Sequence, residues 1–462
     1  MTIWKTFPET IQRPAYRSLA DLISNAIDTG DLEVGARLPT HRELAYQLNL
    51  SVQTISRAYD ELIRRGLIEG QVGRGTFVSA GPAKSNWPFV PAGHDGQLID
   101  LSILKPVTAP LHRDKMSAAL AELSGTLADA SIFSFKPSNA LEPFKSSAIS
   151  WLARCGLSCA PDAVVMTNGA TSAMTTALLT AANAGDLVLT EAMSHHTLVP
   201  LSRYLDLRLE GVPIDSEGIV PGELEKICKA KPVKSLYVMP SGLNPLALMM
   251  GEERRKALAE LARKFDFTII ENDAWGPLQP DRPPPIAVFA PERTFYFTSF
   301  TKCLLPGLRH GYLVVPDLLA SAAANRHLVT DWVATPIMAE IASLFIENGT
   351  ADELLAWQMG ALGRRNAVVA KVLEGIPFGS SPNGMHVWLP LPGSWTEEAF
   401  VAHARRKGVA VAPGSAFAVS DQAVSAGVRI CIGGMEDGAL AHGLQLIARL
   451  YKSPPEPALL AL

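Results

Sequence analysis

Cysteine is scarce and poorly placed for covalent or metal chemistry. Cys155, Cys159, Cys228, Cys303 and Cys431 form an odd, scattered set with neither the paired spacing of a zinc site nor the density of a disulfide scaffold. They read as free thiols, and no metal is expected. Cys155 and Cys159 stand at helical i,i+4 spacing, which buried packing explains better than a special role. Long apolar runs are missing too: none reaches the roughly 18 residues that a membrane span requires, so no membrane association is expected. The start, Met1-Thr2-Ile3-Trp4-Lys5, lacks the apolar core and cleavage site of a secretory signal, which leads to the expectation of a cytoplasmic chain. Charge excess is also absent. With 41 Lys and Arg against 45 Asp and Glu the net charge is −4, too little for general affinity for nucleic acid or membranes. Any contact with DNA must be local.

What is present is a chain of 462 residues, 48% hydrophobic, long enough for one small unit and a large α/β unit. Residues 11–78 read as three helices and a hairpin. Leu19, Leu22, Ile23, Ala26 and Ile27 line one face of a helix from Pro14 to Thr29, which Gly30 stops. After the turn Glu33-Val34-Gly35, Thr40 caps a second helix ending near Asn49, and Glu43 completes a capping box. Ser51 caps a third, Val52 to Gly66, which buries Ile55, Ala58, Tyr59, Leu62 and Ile63 and turns Gln53, Thr54, Ser56 and Arg57 outward. Strands at Leu67-Ile68-Glu69 and Thr76-Phe77-Val78 flank the glycine-rich turn Gly70-Gln71-Val72-Gly73-Arg74-Gly75, forming a wing. Such a winged helix-turn-helix offers its third helix to the major groove and its wing to nearby phosphate or minor groove. Arg42, Gln53, Thr54, Arg57 and Arg74 are the DNA-contact candidates. Over residues 11–80 eight Arg are matched by eight Asp and Glu with no Lys, so one copy would bind double-stranded DNA poorly. Two copies on a repeated half-site are expected. A small helical interaction module is the plainer alternative.

The run GARLPTHRELAYQLNLSVQTISRAYDELIRRGLIEGQVGRGTFV strongly resembles the DNA-binding domain of the GntR regulator family. The likeness covers nearly all of residues 11–78 and takes in the entry to the second helix, the third helix and the wing together. Residues 79–97, rich in Pro, Gly, Ala and Ser, read as a linker. From Leu98 onward apolar strand-like runs alternate with helices, an α/β pattern with a mostly parallel sheet over 98–452.

Three segments of the large domain carry chemistry. In FTSFTKCLLPGLRHGYLVV, a strand-like run leads to Ser299, Lys302 and Arg309. A lysine amine can form an imine with an aldehyde cofactor, while a hydroxyl and an arginine grip its phosphate. Ser-x-x-Lys alone also occurs in serine-nucleophile penicillin-binding enzymes, whose further motifs are not found here. Asn168-Gly169-Ala170-Thr171 lies between a strand and a long helix through Ala182, where free N–H groups and the helix dipole would hold a phosphate; ordinary glycine punctuation is the alternative. The strand FTIIEND ends in Asn272-Asp273-Ala274-Trp275. A carboxylate there would keep a pyridine nitrogen protonated and make the ring an electron sink; Asp273 is the candidate, and a turn or cap residue the alternative. Arg429, on the apolar strand GVRICI, wants a planar carboxylate, from a ligand or from an internal salt bridge.

TNGATSA, TEAMSHHTL, PSGLNPLA, IIENDAWG, SFTKCLLPGLRHGY and GVRICIGG stand in the order of fold-type I aminotransferases, which use pyridoxal 5'-phosphate; the resemblance runs from about Asp100 to Leu450. It implies a large domain with a mostly parallel sheet and a smaller C-terminal α+β subdomain. It further implies that Lys302 holds the cofactor as an internal aldimine, with Gly169, Ala170, Thr171, Ser299 and Arg309 around the phosphate. Asn244 would then reach the ring hydroxyl, and Arg429 a substrate carboxylate. His195 or its neighbour His196 stands where an aromatic usually stacks on the ring, and Trp275 where a tyrosine usually serves the ring oxygen. Asn-Pro-Thr-Gly becomes Asn244-Pro245-Leu246-Ala247, and the usual acidic pair becomes Asn272-Asp273. A one-residue shift would make Asn272 the ring-nitrogen partner, though Asp273 is preferred.

A GntR reader fused to such a domain resembles the MocR subfamily, whose members bind pyridoxal phosphate, commonly form head-to-tail homodimers, and respond to amino acids, amines or vitamin B6. In overall wording the chain is similar to regulators of ectoine or taurine use, although no single residue carries that likeness. The resemblance implies a DNA-binding regulator that senses an amino acid or diamino acid through aldimine exchange at Lys302. A working aminotransferase and a cofactor-free scaffold are the alternatives.

Overall fold

Amphipathic spacing builds the first of the two units into which the chain divides, Met1–Pro91 and Ala92–Leu462. A computed structural model describes residues 14–28, 32, 35–64, 67–71, 75–78, 98–133, 141–419 and 426–453. Within the first unit the helices are Ala15–Asp28, His41–Leu48 and Val52–Arg64. Their apolar stripes, including Leu19, Ile23, Leu44, Ile55, Ala58, Tyr59 and Leu62, close on one another as a small core. Thr40 and Glu43 form the expected capping box, with Thr40 N–H donating to Glu43 Oε2 at 2.8 Å and Glu43 N–H donating to Thr40 Oγ1 at 3.3 Å. Ser51 Oγ accepts from Thr54 N–H at 3.0 Å at the head of the third helix. Tyr59 ties that helix to the turn ahead of the second, donating its hydroxyl proton to the Pro39 carbonyl at 2.8 Å.

Two expectations for this unit change. Ile63 is 49% exposed, because the buried stripe follows positions 55, 58, 59 and 62 and leaves 63 past its edge. The hairpin of Ile68–Gln71 and Gly75–Val78 also gains a third strand, Arg37–Leu38, paired antiparallel to Gly75–Val78. Two residues are too few to show a period of two in the sequence. The turn at 72–74, with Arg74, and the segment 79–97 lie outside the described residues.

In the second unit a seven-stranded sheet takes the order Val164–Thr167, Gly311–Val314, Thr294–Ser299, Thr268–Asn272, Val233–Val238, Leu187–Glu191, Arg208–Val212. Every pairing is parallel except the two made by Gly311–Val314. Helix Ala170–Ala181 covers one face, packing Ala173, Met174 and Ala177 against Tyr237, Ile270, Phe295 and Phe297. Helix Glu252–Phe265 covers the other, with Leu258 and Ala262 against Leu236 and Ile269. Coverage on both faces explains why these strands read as continuous apolar runs.

The C-terminal part forms a smaller α+β layer. Its antiparallel sheet orders His386–Pro390, Gly427–Cys431, Ala412–Pro413, packed by helices Glu397–Arg406 and Asp437–Lys452. Ile99–Asp100 joins it by pairing parallel to Val409–Ala410. Cys155 and Cys159 do not share a helix: Cys155 is the buried C-cap of Lys145–Arg154, and Cys159 lies half-buried beyond it.

The capping box offers a local test. Thr40→Ala should cost this unit about 1 kcal/mol, read in the full chain as faster amide hydrogen exchange across His41–Leu48; unchanged exchange would show that the cap contributes nothing.

Candidate functional sites

The antiparallel strand Gly311–Val314 brings two turns together at the sheet's edge. A Cβ on Gly311 would lie 2.6 Å from the Thr298 carbonyl oxygen, 3.1 Å from Ser299 Cβ and 3.4 Å from Gly169 Cα, so only glycine lets the turns approach this closely. Gly169 caps the twelve-residue helix Ala170–Ala181 at φ 82°, and a Cβ there would meet Arg309 Nη2 at 3.3 Å and Thr301 Oγ1 at 3.7 Å. The free N–H groups of the first helical turn, which includes Ala170 and the exposed Thr171, thus sit beside a guanidinium and a hydroxyl. Ser299 Oγ is buried with no partner. Helix dipole, guanidinium and unpaired hydroxyl together make an anion cradle. Thr301, which donates no recognisable sequence signal, joins it by accepting from Arg309 Nη1 at 3.4 Å.

Lys302 follows directly, in the short helix Phe300–Cys303. Its Nζ donates to the Leu104 carbonyl. Burial pulls its ammonium down to about 8; Cys431 opposes this, and the positive charges of Arg429 and Arg309 add to it. Arg429, 2% exposed, donates to Asn244 Oδ1 at 3.0 Å and to the Ser102 carbonyl, and its guanidinium lies 4.7 Å from the Phe417 ring centre. Among the described residues no carboxylate pairs with it, and its Nε has no partner; nor does Asn244 Nδ2. The stretch 102–105, which receives both cations' hydrogens, was not visible as a motif. Gly433 makes room for it, since a Cβ there would strike the Lys105 carbonyl oxygen at 1.8 Å.

His195 and His196 stack with ring centres 4.6 Å apart. Burial, then His196, Lys302 and Arg429, hold His195 well below the ordinary imidazole value; burial and Arg429 push His196 down to about 4. Both rings are therefore neutral and beside Lys302. His386, another residue that sequence reasoning missed, is pushed down to about 3 by burial and by Arg429.

Two expected residues have protein partners of their own. Trp275 commits its indole N–H to the Ser241 carbonyl, which leaves it no hydrogen for a ring oxygen. Asp273, 1% exposed, gives Oδ2 to Arg282 Nη2 at 2.7 Å and to the Tyr296 hydroxyl at 2.8 Å, leaving Oδ1 without a partner.

In the first unit Arg42, Gln53 and Arg57 are exposed and Thr54 is half-buried. Thr54 Oγ1 lies 2.8 Å from Ser51 Oγ, and the Arg57 guanidinium lies 4.4 Å from the Tyr16 ring centre. Both are positioned by their neighbours while facing solvent.

Fold and sites define a transcription regulator built on an aminotransferase-like domain. Residues 99–447 match the family described as aminotransferase class I and II, and residues 15–78 match bacterial regulatory proteins of the gntR family. The chain belongs to the aminotransferase class I and II family, and with its GntR reader has the arrangement of the MocR subfamily. It is 28% identical over 454 residues to an uncharacterized HTH-type transcriptional regulator, YdeF, of Bacillus subtilis (strain 168), covering 97% of this chain and 96% of that one. It is 25% identical over 485 residues to the HTH-type transcriptional regulator TauR of Rhodobacter capsulatus, covering 94% and 96%. Among solved structures, kynurenine aminotransferase of Pyrococcus horikoshii superposes with a TM-score of 0.70 at 24% identity over 78% of this chain and 91% of that chain. The aminotransferase class I and II fold implies use of pyridoxal phosphate. No helix among the described residues is long and apolar enough to cross a membrane.

Gly311→Ala should destabilise the second unit by about 1–3 kcal/mol, measured by denaturant unfolding. Wild-type stability in this variant would show that the close approach is not limiting.

Proposed function

We propose that the chain is a pyridoxal-phosphate-dependent, DNA-binding transcription regulator that senses an amino acid or diamino acid. The observation that carries this reading is the convergence of a buried lysine, depressed to about 8, an anion cradle and an arginine with no carboxylate partner among the described residues. The donor set fits the cofactor. Gly169, Ala170, Thr171, Ser299, Thr301 and Arg309 would hold the phosphate, His195 would stack on the ring, and Asn244 Nδ2, now without a partner, would donate to the ring hydroxyl. Arg429 would take the effector's carboxylate through its free Nε. Bound there, the cofactor's aldehyde supplies a reversible covalent handle that an effector's primary amine takes over from Lys302.

Lys302 is the residue that must hold and release a proton. Its depressed value leaves far more neutral amine near pH 7 than an ordinary lysine has, and only that form attacks a carbonyl. His195 and His196, both neutral, add no competing positive charge above the site. The DNA readers of two copies would be repositioned as effector replaces lysine, and differential binding to the two arrangements would move operator affinity. The rival reading, a working aminotransferase, is favoured by the intact lysine and carboxylate-seeking arginine; steady keto-acid production by the purified chain would establish it.

Two measurements test the proposal. Cofactor uptake by the apo-chain should accelerate with pH and level off above about 8, not near the ordinary 10.5, and Lys302→Ala should abolish both the yellow colour and the effector response; a colourless wild type sinks the reading. On the DNA side, Arg42→Ala should reduce the slope of log Kobs against log salt by about 1, and an unchanged slope would remove Arg42 from the phosphate contacts.

A further inference from the structure

Side chains alternate along Thr268–Asn272 and sort its last residues between two faces. Ile270 packs with Ala173, Met174 and Ala177 of the helix whose N-terminus forms the anion cradle, so Asn272, two residues on, points to that face. Glu271 turns to the other, where it accepts the N–H groups of Ile286 and Ala287 at 2.9 Å each. Asp273 stays in the ladder, donating its N–H to the Phe297 carbonyl at 3.0 Å. It therefore follows Glu271 across the sheet, to Arg282 and Tyr296.

The Asn272 amide has a defined orientation. The Ala274 N–H can only donate, so it fixes Oδ1 at 3.2 Å, and Nδ2 lies 2.6 Å from the Tyr237 hydroxyl. An amide nitrogen carries two hydrogens, and Tyr237 takes one. The other is uncommitted, on a side chain 8% exposed where Asp273 is 1% exposed.

Resting on the reading that this site holds pyridoxal phosphate, we infer that Asn272, and not Asp273, meets the ring nitrogen and donates a hydrogen bond to it in its unprotonated form. A carboxylate beside a pyridine favours the charged ring. An amide N–H favours the neutral base, because a hydrogen bond given to one protonation state disfavours the other. A neutral ring withdraws little charge from the carbon that carries a bound amine. The site is thereby suited to capturing an amine and returning it unchanged, with its α-proton in place.

The test uses the full-length chain loaded with cofactor isotopically labelled at the ring nitrogen, whose resonance is calibrated against free cofactor at acid and alkaline pH. The wild type should show the neutral-pyridine position, Asp273→Asn should leave it there, and Asn272→Asp should shift it to the pyridinium position. A pyridinium signal in the wild type overturns the inference and gives the role to the unpartnered Oδ1 of Asp273. The wild-type signal decides alone, so a variant that fails to fold leaves no gap. Absence of any Lys302-dependent cofactor absorption is a different failure: it overturns the functional reading on which this inference rests.

Discussion

The contact on which the rest depends is the approach of Gly311 to the Thr298 carbonyl and to Gly169, close enough that a single methyl would not fit. Gly311–Val314 is the strand that runs against its neighbours, and it lies between the strand that feeds the cradle helix and the strand that feeds Lys302. Its pairing in register, Gly311 opposite both Thr167 and Ser299, sets the separation of the two turns. Helix N-terminus, Ser299, Thr301, Lys302 and Arg309 converge because their strands end at one edge. Loops alone would not fix them so closely; strand ends do.

The same convergence leaves polar atoms unpaid for by protein partners. Ser299 Oγ, Asn244 Nδ2, Arg429 Nε and His386 Nε2 are all buried without a hydrogen-bond partner, and each such group costs about 1–3 kcal/mol in a dry interior. On the proposed reading they would be the donors and acceptors of a ligand, and the depressed Lys302 belongs with them, because burial without a paired anion both lowers its ammonium and readies its amine.

Much of this was legible in the sequence for reasons that can be named. The capping box at Thr40 and Glu43 is a local pattern that local physics enforces. The cradle was legible because glycine before a helix and Ser-x-x-Lys after a strand are short-range arrangements. Residues that join the site through distant chain were not: Leu104 and Ser102 offer only carbonyls to Lys302 and Arg429, and a carbonyl has no residue-type signature. Asp273 stands out in the sequence by its charge, whereas strand phase does not show there. One step along a strand reverses the face, and that step placed the carboxylate with Arg282 and Tyr296. Trp275 was read from its position in a motif, while its N–H is spent on Ser241.

If the chain is a sensor, as proposed, the requirements of sensing explain why these departures belong together. An effector shifts an equilibrium only by the difference in its affinity for two arrangements, so it must survive long enough in the site to be counted. A chemistry that consumed each bound amine would make occupancy depend on turnover rather than on concentration. On the proposed reading Lys302 and Arg429 would keep capture covalent and carboxylate-directed, while a neutral amide in place of a carboxylate at the strand end, and an indole N–H withheld from the ring oxygen, would remove the groups that drive a captured amine onward. Recognition and reaction separate at adjacent residues of one strand.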